Sequence, residues 1–256
     1  MALKLHNLIV IDIEASCWED PVPGSDAERA GTRDEVGFIP AAQQREIIEI
    51  GVCLIELKTL DVSQRWSTLV RPAVAEISPY CTKLTSLTAA QLEGATDFVG
   101  AIAGLRTWLG TVRLAQQGVP MYGLPSAGPH ATVDGAAEEM CRQPIASWGT
   151  FDRLLLERQC QRLGMAFPFS TTHFNLKALF PIFGRSNFTG RELSLRVALR
   201  TADVPETGTH HRAEDDAAHA AGVAVSMLKA LRSREAGVAR AVAAVVVEDP
   251  ADSDRA

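Results

Sequence analysis

Five acidic or imidazole side chains occur in three short segments that are spread over about 200 residues of this 256-residue chain. Asp12 and Glu14 lie in LIVIDIEAS, Asp152 lies in SWGTFDRLLLERQC, and His211 and Asp216 lie in HHRAEDDAAHAA. Magnesium and manganese ions prefer carboxylate and water oxygens as ligands. Two such ions about 3.5–4 Å apart can hold the attacking and leaving oxygens of a displacement at phosphorus, and a histidine can accept the proton of the attacking water. The residue types therefore predict a two-metal site for phosphodiester hydrolysis.

The first pair of carboxylates follows a short apolar run. Residues 8–11 are leucine, isoleucine, valine and isoleucine, which predicts a buried strand. Because side chains alternate along a strand, Asp12 and Glu14 should leave the same face at its end. A D-x-E pair in this position can act as one set of metal ligands.

Asp152 is predicted to lie in the first turn of a helix. The chain breaks at Gly149, and apolar residues then recur with helical spacing at Leu156, Cys160 and Leu163. The apolar face of this helix should be held in a core, which would fix the position of Asp152.

The third segment predicts a helix that begins just before Asp216. Its apolar stripe is formed by Ala217, Ala221, Ala224, Leu228 and Leu231. His211 precedes Asp216 by five residues and should lie on the loop that enters the helix, facing the same site.

Each motif taken alone has an ordinary structural explanation. A D-x-E pair is usually a solvated strand edge, and Asp152 alone would interact with a helix dipole. His211 beside His210 would be a surface residue, and Asp215 with Asp216 would form an acidic helix face. The combination of three motifs, in this order and on suitable elements, favours the metal site.

These residues carry a family resemblance. The chain resembles a DEDD-type 3′→5′ exonuclease of the histidine subclass, with D-x-E after the first strand, W-G-x-F-D at the second motif and H-R-A-x-D-D-A at the third. The most similar branch contains the histone-mRNA and small-RNA trimming exonucleases and the bacterial sporulation inhibitor KapD. Residues 45–60 are similar to the second strand of that branch, and residues 70–92 are similar to its third strand and the following L-T-x-(L/I)-T turn.

The resemblance implies a role for each motif residue. Asp12, Glu14 and Asp216 would bind the first of two Mg²⁺ or Mn²⁺ ions. Asp12 would also contact the second ion, on which Asp152 would act directly or through water. His211 would be the general base, because the family spacing H-x4-D is met by His211 and Asp216 and not by His210. The tyrosine subclass is disfavoured, because neither tyrosine of the chain lies near the third motif.

The resemblance also implies contacts with the substrate, a single-stranded 3′ end. Ala15, Leu84, Thr85 and Trp148 are the candidates, with Leu84 equally suited to an ordinary core position.

The implied fold is an α/β, ribonuclease H-like exonuclease fold, a mixed twisted sheet flanked by helices. One catalytic domain is predicted over residues 1–232, with long loops or insertions at 17–44 and 116–144. Residues 233–256 should form a C-terminal helix and a disordered tail. A capping box at residues 189–192 is expected to precede a further helix.

Composition and charge bear on the cellular location of the chain and on the partners that it can bind. Five cysteines without a C-x-x-C pair argue for reduced thiols and a cytoplasmic location. No run is long enough for a transmembrane helix, and the apolar N-terminus lacks a cleavage pattern. The net charge of −6 argues against extensive nonspecific duplex binding, whereas residues 151–200 carry 8 basic against 3 acidic side chains and suit a short phosphate backbone.

RNA is the preferred substrate by branch resemblance, and three other functions stay open. The chain could be a DNA repair or proofreading exonuclease, a regulatory binding protein that uses this fold to engage a protein partner, or a phosphodiesterase acting on dinucleotides. The five intact motif residues favour an enzyme over a binding protein.

Overall fold

The computed structural model describes residues 5–19, 45–119, 132–183 and 193–247. The strands and helices in these segments follow one another as β1 (Asn7–Ala15), β2 (Ile47–Glu56), β3 (Val62–Leu69), α1 (Pro79–Thr85), α2 (Ala89–Glu93), α3 (Phe98–Gln116), α4 (Val133–Cys141), β4 (Ile145–Ser147), α5 (Phe151–Arg162), β5 (His173–Asn175), α6 (Leu176–Phe183), α7 (Leu195–Thr201) and α8 (Ala213–Val247).

The strands form one mixed sheet in the order β3-β2-β1-β4-β5. Strand β1 is antiparallel to β2 and parallel to β4, and β4 is parallel to β5. The predicted mixed sheet flanked by helices is confirmed. Because β1 and β4 are parallel, the residues that end β1 and those that follow β4 meet at the same edge of the sheet.

Helices cover both faces of the sheet. Ile9, Ile11 and Ile13 pack with apolar side chains of α3 and α5, whereas Leu8 and Val10 pack with the alanines of α8. Side chains alternate between the faces along β1, so the next two even-numbered residues, Asp12 and Glu14, belong to the side that α8 covers. The alternation thus directs both carboxylates toward the start of that helix.

Gly51 on β2 lies where α8 comes very close to the sheet. A Cβ atom at this position would lie 2.1 Å from the backbone carbon and oxygen of Ala213 and 2.4 Å from the backbone nitrogen of Glu214. The start of α8 can therefore rest on β2 only because residue 51 has no side chain.

We expect Gly51→Ala to lower the free energy of unfolding by about 1–3 kcal/mol, since backbone atoms yield less readily than a side chain. Thermal unfolding measures this change. Gly104→Ala is the matched control, because a Cβ on this exposed residue of α3 would meet only Trp66, at 3.7 Å. The control should gain about 0.5–1 kcal/mol from helix propensity. An unchanged stability in Gly51→Ala would contradict the close approach.

The expected third strand is wrong in position. Strand β3 ends at Leu69, and residues 70–92 instead contain α1 and α2. Each helix begins after a residue whose side chain accepts a hydrogen bond from the first turn, Ser78 for α1 and Thr88 for α2. Pro79 at the first position of α1 adds a fixed helical φ angle.

Residues 116–144, expected as a loop or insertion, contain helix α4. Thr132 caps this helix, and Met140 and Cys141 join the core cluster that holds α3. The short strand β4 follows directly and leads to the second motif. Residues 120–131, like residues 20–44 of the other expected loop, lie outside the described residues.

The structure also bears on the predicted end of α5, the capping box at residues 189–192 and the C-terminal helix. Leu163, expected in the apolar stripe of α5, is the C-terminal cap and is 46% exposed. The capping box at residues 189–192 lies outside the described residues, and Ser194 caps the following helix α7. Helix α8 runs from Ala213 to Val247 without a break, so residues 233–247 are part of the same helix as Asp216. The division into domains at residue 232 stays a prediction.

Two further observations concern the described residues alone. None of their helices combines the length and apolarity that crossing a membrane requires. The five cysteines are all free thiols, as expected.

Candidate metal-dependent active site

The first pair of carboxylates lies at the C-terminal end of β1, beside β2. Asp12 is opposite Gly51 in the β1–β2 register, and Glu14 is opposite Glu49. The register shifts between Glu14 and Ala15, which is the irregularity that a β-bulge produces. Bulges bend a strand and redirect side chains at its end, so the ladder changes immediately after the two predicted ligands.

Asp152 is buried in the first turn of α5, as predicted, and is tied directly to β1. Its Oδ1 accepts a hydrogen bond from the backbone nitrogen of Ile13 at 3.1 Å, between the two carboxylates of the D-x-E pair. Gly149, with φ of +117°, makes the turn from β4 into this helix, a conformation that favours glycine. The second motif is therefore fixed against the first by a backbone contact.

The segment before α8, residues 207–211, is held on the first turns of that helix. Alternate backbone amides donate to helix side chains: Thr207 to His219 Nε2 at 3.0 Å, Thr209 to Asp215 Oδ2 at 2.8 Å and His211 to Asp216 Oδ2 at 2.8 Å. His211 itself has φ of +60°, a left-handed conformation uncommon outside glycine. We call this segment the histidine loop. Its contacts fix the backbone from which the His211 imidazole projects.

The two neighbouring histidines have different surroundings. His211 Nδ1 lies 3.9 Å from Glu14 Oε1, and 52% of the His211 side chain is exposed. His210 instead lies between Asp216 Oδ1, 3.3 Å from its Nδ1, and Glu206 Oε2, 3.1 Å from its Nε2. His211 alone combines a place beside the D-x-E pair with access for water, which agrees with its predicted role.

Burial and mutual repulsion disfavour the charged forms of three carboxyls. Burial raises the pKa of Asp12 well above its usual value, and the charges of Asp152 and Glu14 raise it further. Burial also raises the pKa of Glu14 to about 8, with repulsion from Asp216 and Glu49 adding to the shift. Burial raises the pKa of Asp152 to about 6, although hydrogen bonds to its carboxylate act in the opposite direction. A bound divalent cation would replace the protons that these carboxyls otherwise hold.

Asp216 behaves in the opposite way. Burial acts to raise its pKa, but hydrogen bonds from His219 and from the His211 amide outweigh burial, and the pKa falls below its usual value. Asp216 is therefore the carboxylate of the site that stays charged most readily without a cation.

An ion pair between buried Glu49 and half-exposed Arg212 lies beside the site and was not indicated by the sequence patterns. Glu49 is 1% exposed, and its carboxylate accepts hydrogen bonds from Nε and Nη2 of Arg212 at 2.9–3.3 Å and from the backbone nitrogen of Ala213 at 3.1 Å. The positive charge of Arg212 lowers the pKa of Glu14 and partly offsets the repulsion. A charged residue inside the apolar run IIEIGV was the available signal for Glu49.

The donors suit a hard divalent cation. Glu14, His211 and Asp216 each offer one ligand atom, and these atoms all lie within 4.8 Å of one another. Asp12 precedes Glu14 by two residues on β1, and the charges of Asp152, Glu14 and Asp216 add to burial in raising its pKa. A set dominated by carboxylate oxygens matches the preference of Mg²⁺ and Mn²⁺.

Two of the predicted substrate residues have their polar groups engaged within the protein. The hydroxyl of Thr85, which is buried, donates to the carbonyl of Cys81 at 2.9 Å. The indole N–H of Trp148 donates to the carbonyl of Leu193 at 3.2 Å, and its ring packs against Phe180. Contact of Thr85 or Trp148 with a nucleotide would therefore have to use apolar surface.

Of the other two predicted substrate residues, Ala15 lies on β1 and Leu84 lies on α1. Ala15 is buried at the last position of β1, and its carbonyl accepts from the thiol of Cys81 on α1. Leu84, half-buried on the same helix, lines an open cavity of about 380 Å³ together with Tyr80 and Lys83. The contacts of all four residues with substrate stay predictions.

Comparisons with known proteins support the same assignment. A family model described as Exonuclease (RNase_T) matches residues 9–122. ERI1 exoribonuclease 2 of Danio rerio is 23% identical over 228 residues, which are 88% of this chain and 35% of the relative. The 3′-5′ exonuclease Snipper of Drosophila melanogaster is 23% identical over 233 residues, 90% of this chain and 72% of that protein. The chain thus spans about a third of the first relative and most of the second.

A solved structure shows the same fold. The nuclease domain of 3′hExo, described as a DEDDh family member bound to rAMP, superposes with a TM-score of 0.62 at 21% identity, covering 88% of this chain and 92% of that one. The predicted ribonuclease H-like exonuclease fold is confirmed. The chain is therefore similar to exonucleases of the RNase_T family over residues 9–122, and it shares the fold of a DEDDh family member.

Proposed function

We propose that the chain is a metal-dependent 3′→5′ exonuclease that removes nucleoside monophosphates from the 3′ ends of single-stranded RNA. The observation that carries this proposal is the meeting of Glu14, His211 and Asp216 at one edge of the sheet, with Asp152 bonded to the backbone of β1. The names of the relatives support RNA over DNA, since ERI1 exoribonuclease 2 is named for RNA hydrolysis.

Each of these residues has a separate role in one hydrolytic step. Asp12, Glu14 and Asp216 would hold one Mg²⁺ or Mn²⁺ ion, and Asp12 with Asp152 a second. Bound ions supply the positive charge that an in-line displacement at phosphorus requires. His211 takes a proton from the attacking water, whose oxygen bonds to phosphorus as the bond to the 3′ oxygen of the penultimate nucleotide breaks. The leaving 3′ oxygen takes up a proton from solvent, so the products are a nucleoside 5′-monophosphate and a chain with a new 3′ hydroxyl.

The charge distribution supports a short substrate contact. The net charge of −6 disfavours broad binding of a duplex, while the 8 basic against 3 acidic side chains of residues 151–200 suit contact with a few phosphates. We further propose a cytoplasmic location, which five free thiols suit. A protein partner and a DNA substrate remain the main alternatives.

Digestion of a 5′-labelled single-stranded RNA and its DNA counterpart tests the proposal, with Mg²⁺, Mn²⁺ or EDTA. We expect a ladder that shortens from the 3′ end, faster with RNA and absent in EDTA. Faster digestion of the DNA would favour the repair-type exonuclease, and cleavage confined to dinucleotides would favour the small-substrate phosphodiesterase. No digestion with either metal would favour a binding protein.

A further inference from the structure

His219 is a buried histidine that the hydrolytic step described above does not use. It lies on the second turn of α8, one helical turn after Asp216, and is 3% exposed. Both of its ring nitrogens have partners: Nδ1 is 3.3 Å from Asp216 Oδ1, and Nε2 is 3.0 Å from the backbone nitrogen of Thr207. A buried side chain with two assigned contacts has one orientation.

The partners of His219 fix which nitrogen carries hydrogen. A backbone N–H can only donate, so the contact with Thr207 requires a lone pair on Nε2. The hydrogen of the neutral ring is then on Nδ1, where it is donated to Asp216 Oδ1.

The contact with Thr207 also bears on whether His219 binds a metal itself. His210, Asp216 and His219 offer ligand atoms that lie within 4.8 Å of one another. A cation on Nδ1 of His219 would move the ring hydrogen to Nε2, directly against the N–H of Thr207. The surroundings of His219 therefore suit a residue that hydrogen-bonds to a metal ligand. They do not suit a residue that binds the metal itself.

Asp216 is held through both of its oxygens. Oδ1 lies 3.3 Å from Nδ1 of both His210 and His219, and Oδ2 accepts from the His211 backbone nitrogen at 2.8 Å. Of the two imidazoles, only that of His219 is buried, since 31% of the His210 side chain is exposed. The contact with His219 is thus the one least open to competition from water.

We propose that His219 is a positioning residue for the metal site. It orients the Asp216 carboxylate toward Glu14 and His211, and through Thr207 it ties that orientation to the histidine loop. This inference rests on the proposed function only in that Asp216 binds a divalent ion. Partners of metal ligands typically change metal affinity by about 10–100-fold when they are removed.

Two substitutions separate the two contacts of His219. His219→Asn keeps a donor near the position of Nδ1 and loses the acceptor for Thr207. His219→Gln keeps an acceptor near the position of Nε2 and loses the donor to Asp216. Mn²⁺ binding, measured without RNA by electron paramagnetic resonance of the free ion, reports the metal site directly. His6→Asn and His6→Gln, at the opposite end of β1, are matched controls.

We expect His219→Gln to weaken Mn²⁺ binding about 10–100-fold, while His219→Asn and both controls bind nearly as the unchanged chain does. Unchanged Mn²⁺ affinity in His219→Gln would overturn the proposal. The proposal would also be overturned if both His219 variants lost Mn²⁺ affinity equally and in proportion to their loss of thermal stability. A purely structural role does not distinguish the two contacts. Complete loss of Mn²⁺ binding in both variants would make His219 a ligand instead. A chain that shows the expected Mn²⁺ pattern but digests no RNA would keep this inference and reject the proposed activity.

Discussion

Replacing Asp12 by asparagine should abolish the hydrolysis of RNA and, in metal-free buffer, make the protein more stable. Burial and the charges of Asp152 and Glu14 raise the pKa of Asp12 well above its usual value. Asparagine has nearly the same shape but carries no charge. The substitution therefore removes electrostatic repulsion, which stabilises the fold, and removes a metal ligand, which weakens metal binding. Thermal unfolding in EDTA, beside RNA digestion with Mn²⁺, measures both effects.

The stabilisation should depend on pH. A carboxyl whose pKa is raised by folding contributes stability that is complete below its unfolded pKa and is lost as the pH rises through its folded pKa. The pKa of Glu14 rises from 4.5 to about 8, so the metal-free chain should lose stability between these two values. Burial and neighbouring carboxylates also raise the pKa of Asp12, so Asp12→Asn removes a carboxyl that loses stability in the same direction, and its advantage should be larger at pH 8 than at pH 5.

Added metal provides the control for Asp12→Asn. At a concentration 100 times its dissociation constant, Mn²⁺ should stabilise the unchanged chain by about 2.7 kcal/mol and the variant by much less. Asp12→Ala should be equally inactive, which separates the loss of charge from any effect of the amide. A large residual rate in either variant, with the fold intact, would reject the two-metal assignment.

His211→Ala should slow hydrolysis by about 10²–10⁴-fold, the usual contribution of general base catalysis. Its side chain is half-exposed beside Glu14, whereas the backbone contact of residue 211 with Asp216 survives the substitution. Mn²⁺ binding should therefore persist. Single-turnover rates at saturating metal measure the chemical step without a contribution from product release.

His210→Ala is the matched comparison for His211→Ala. The ring of His210 contacts Glu206 and Asp216, so its loss should act only through the orientation of Asp216 and cost far less. Full activity in His211→Ala, or an equal loss from His210→Ala alone, would mean that the general base has been assigned to the wrong histidine.

The parts of the site that local patterns determine were predictable from the sequence. Alternation along β1 gave the common face of Asp12 and Glu14, and the helical spacing after Gly149 gave the first-turn position of Asp152. The five-residue offset between His211 and Asp216 gave the loop before α8. Each of these expectations depends on neighbours within one element, where strand and helix periodicities apply directly.

The parts that depend on distant contacts were not predictable. Arg212 and Glu49 are 163 residues apart, and no local pattern shows that they pair. His219 lies in an alanine-rich helix, and its role could not be predicted because it depends on the contact with Thr207 in the preceding loop. Strand β3 was missed because it is an edge strand, in which polar residues such as Gln64 and Arg65 dilute the strand pattern.

The packing of α8 on β1 and β2 also has a consequence for newly made protein. The first carboxylates are at residues 12 and 14, and the contacts that complete the site come from residues 207–219. At about 5–20 residues per second, the ribosome adds those residues roughly 10–40 s after the first strand. During this interval the growing chain has Asp12 and Glu14 but lacks His211 and Asp216. Under the proposed mechanism, a nascent copy still attached to its own messenger would therefore be inactive until α8 has docked.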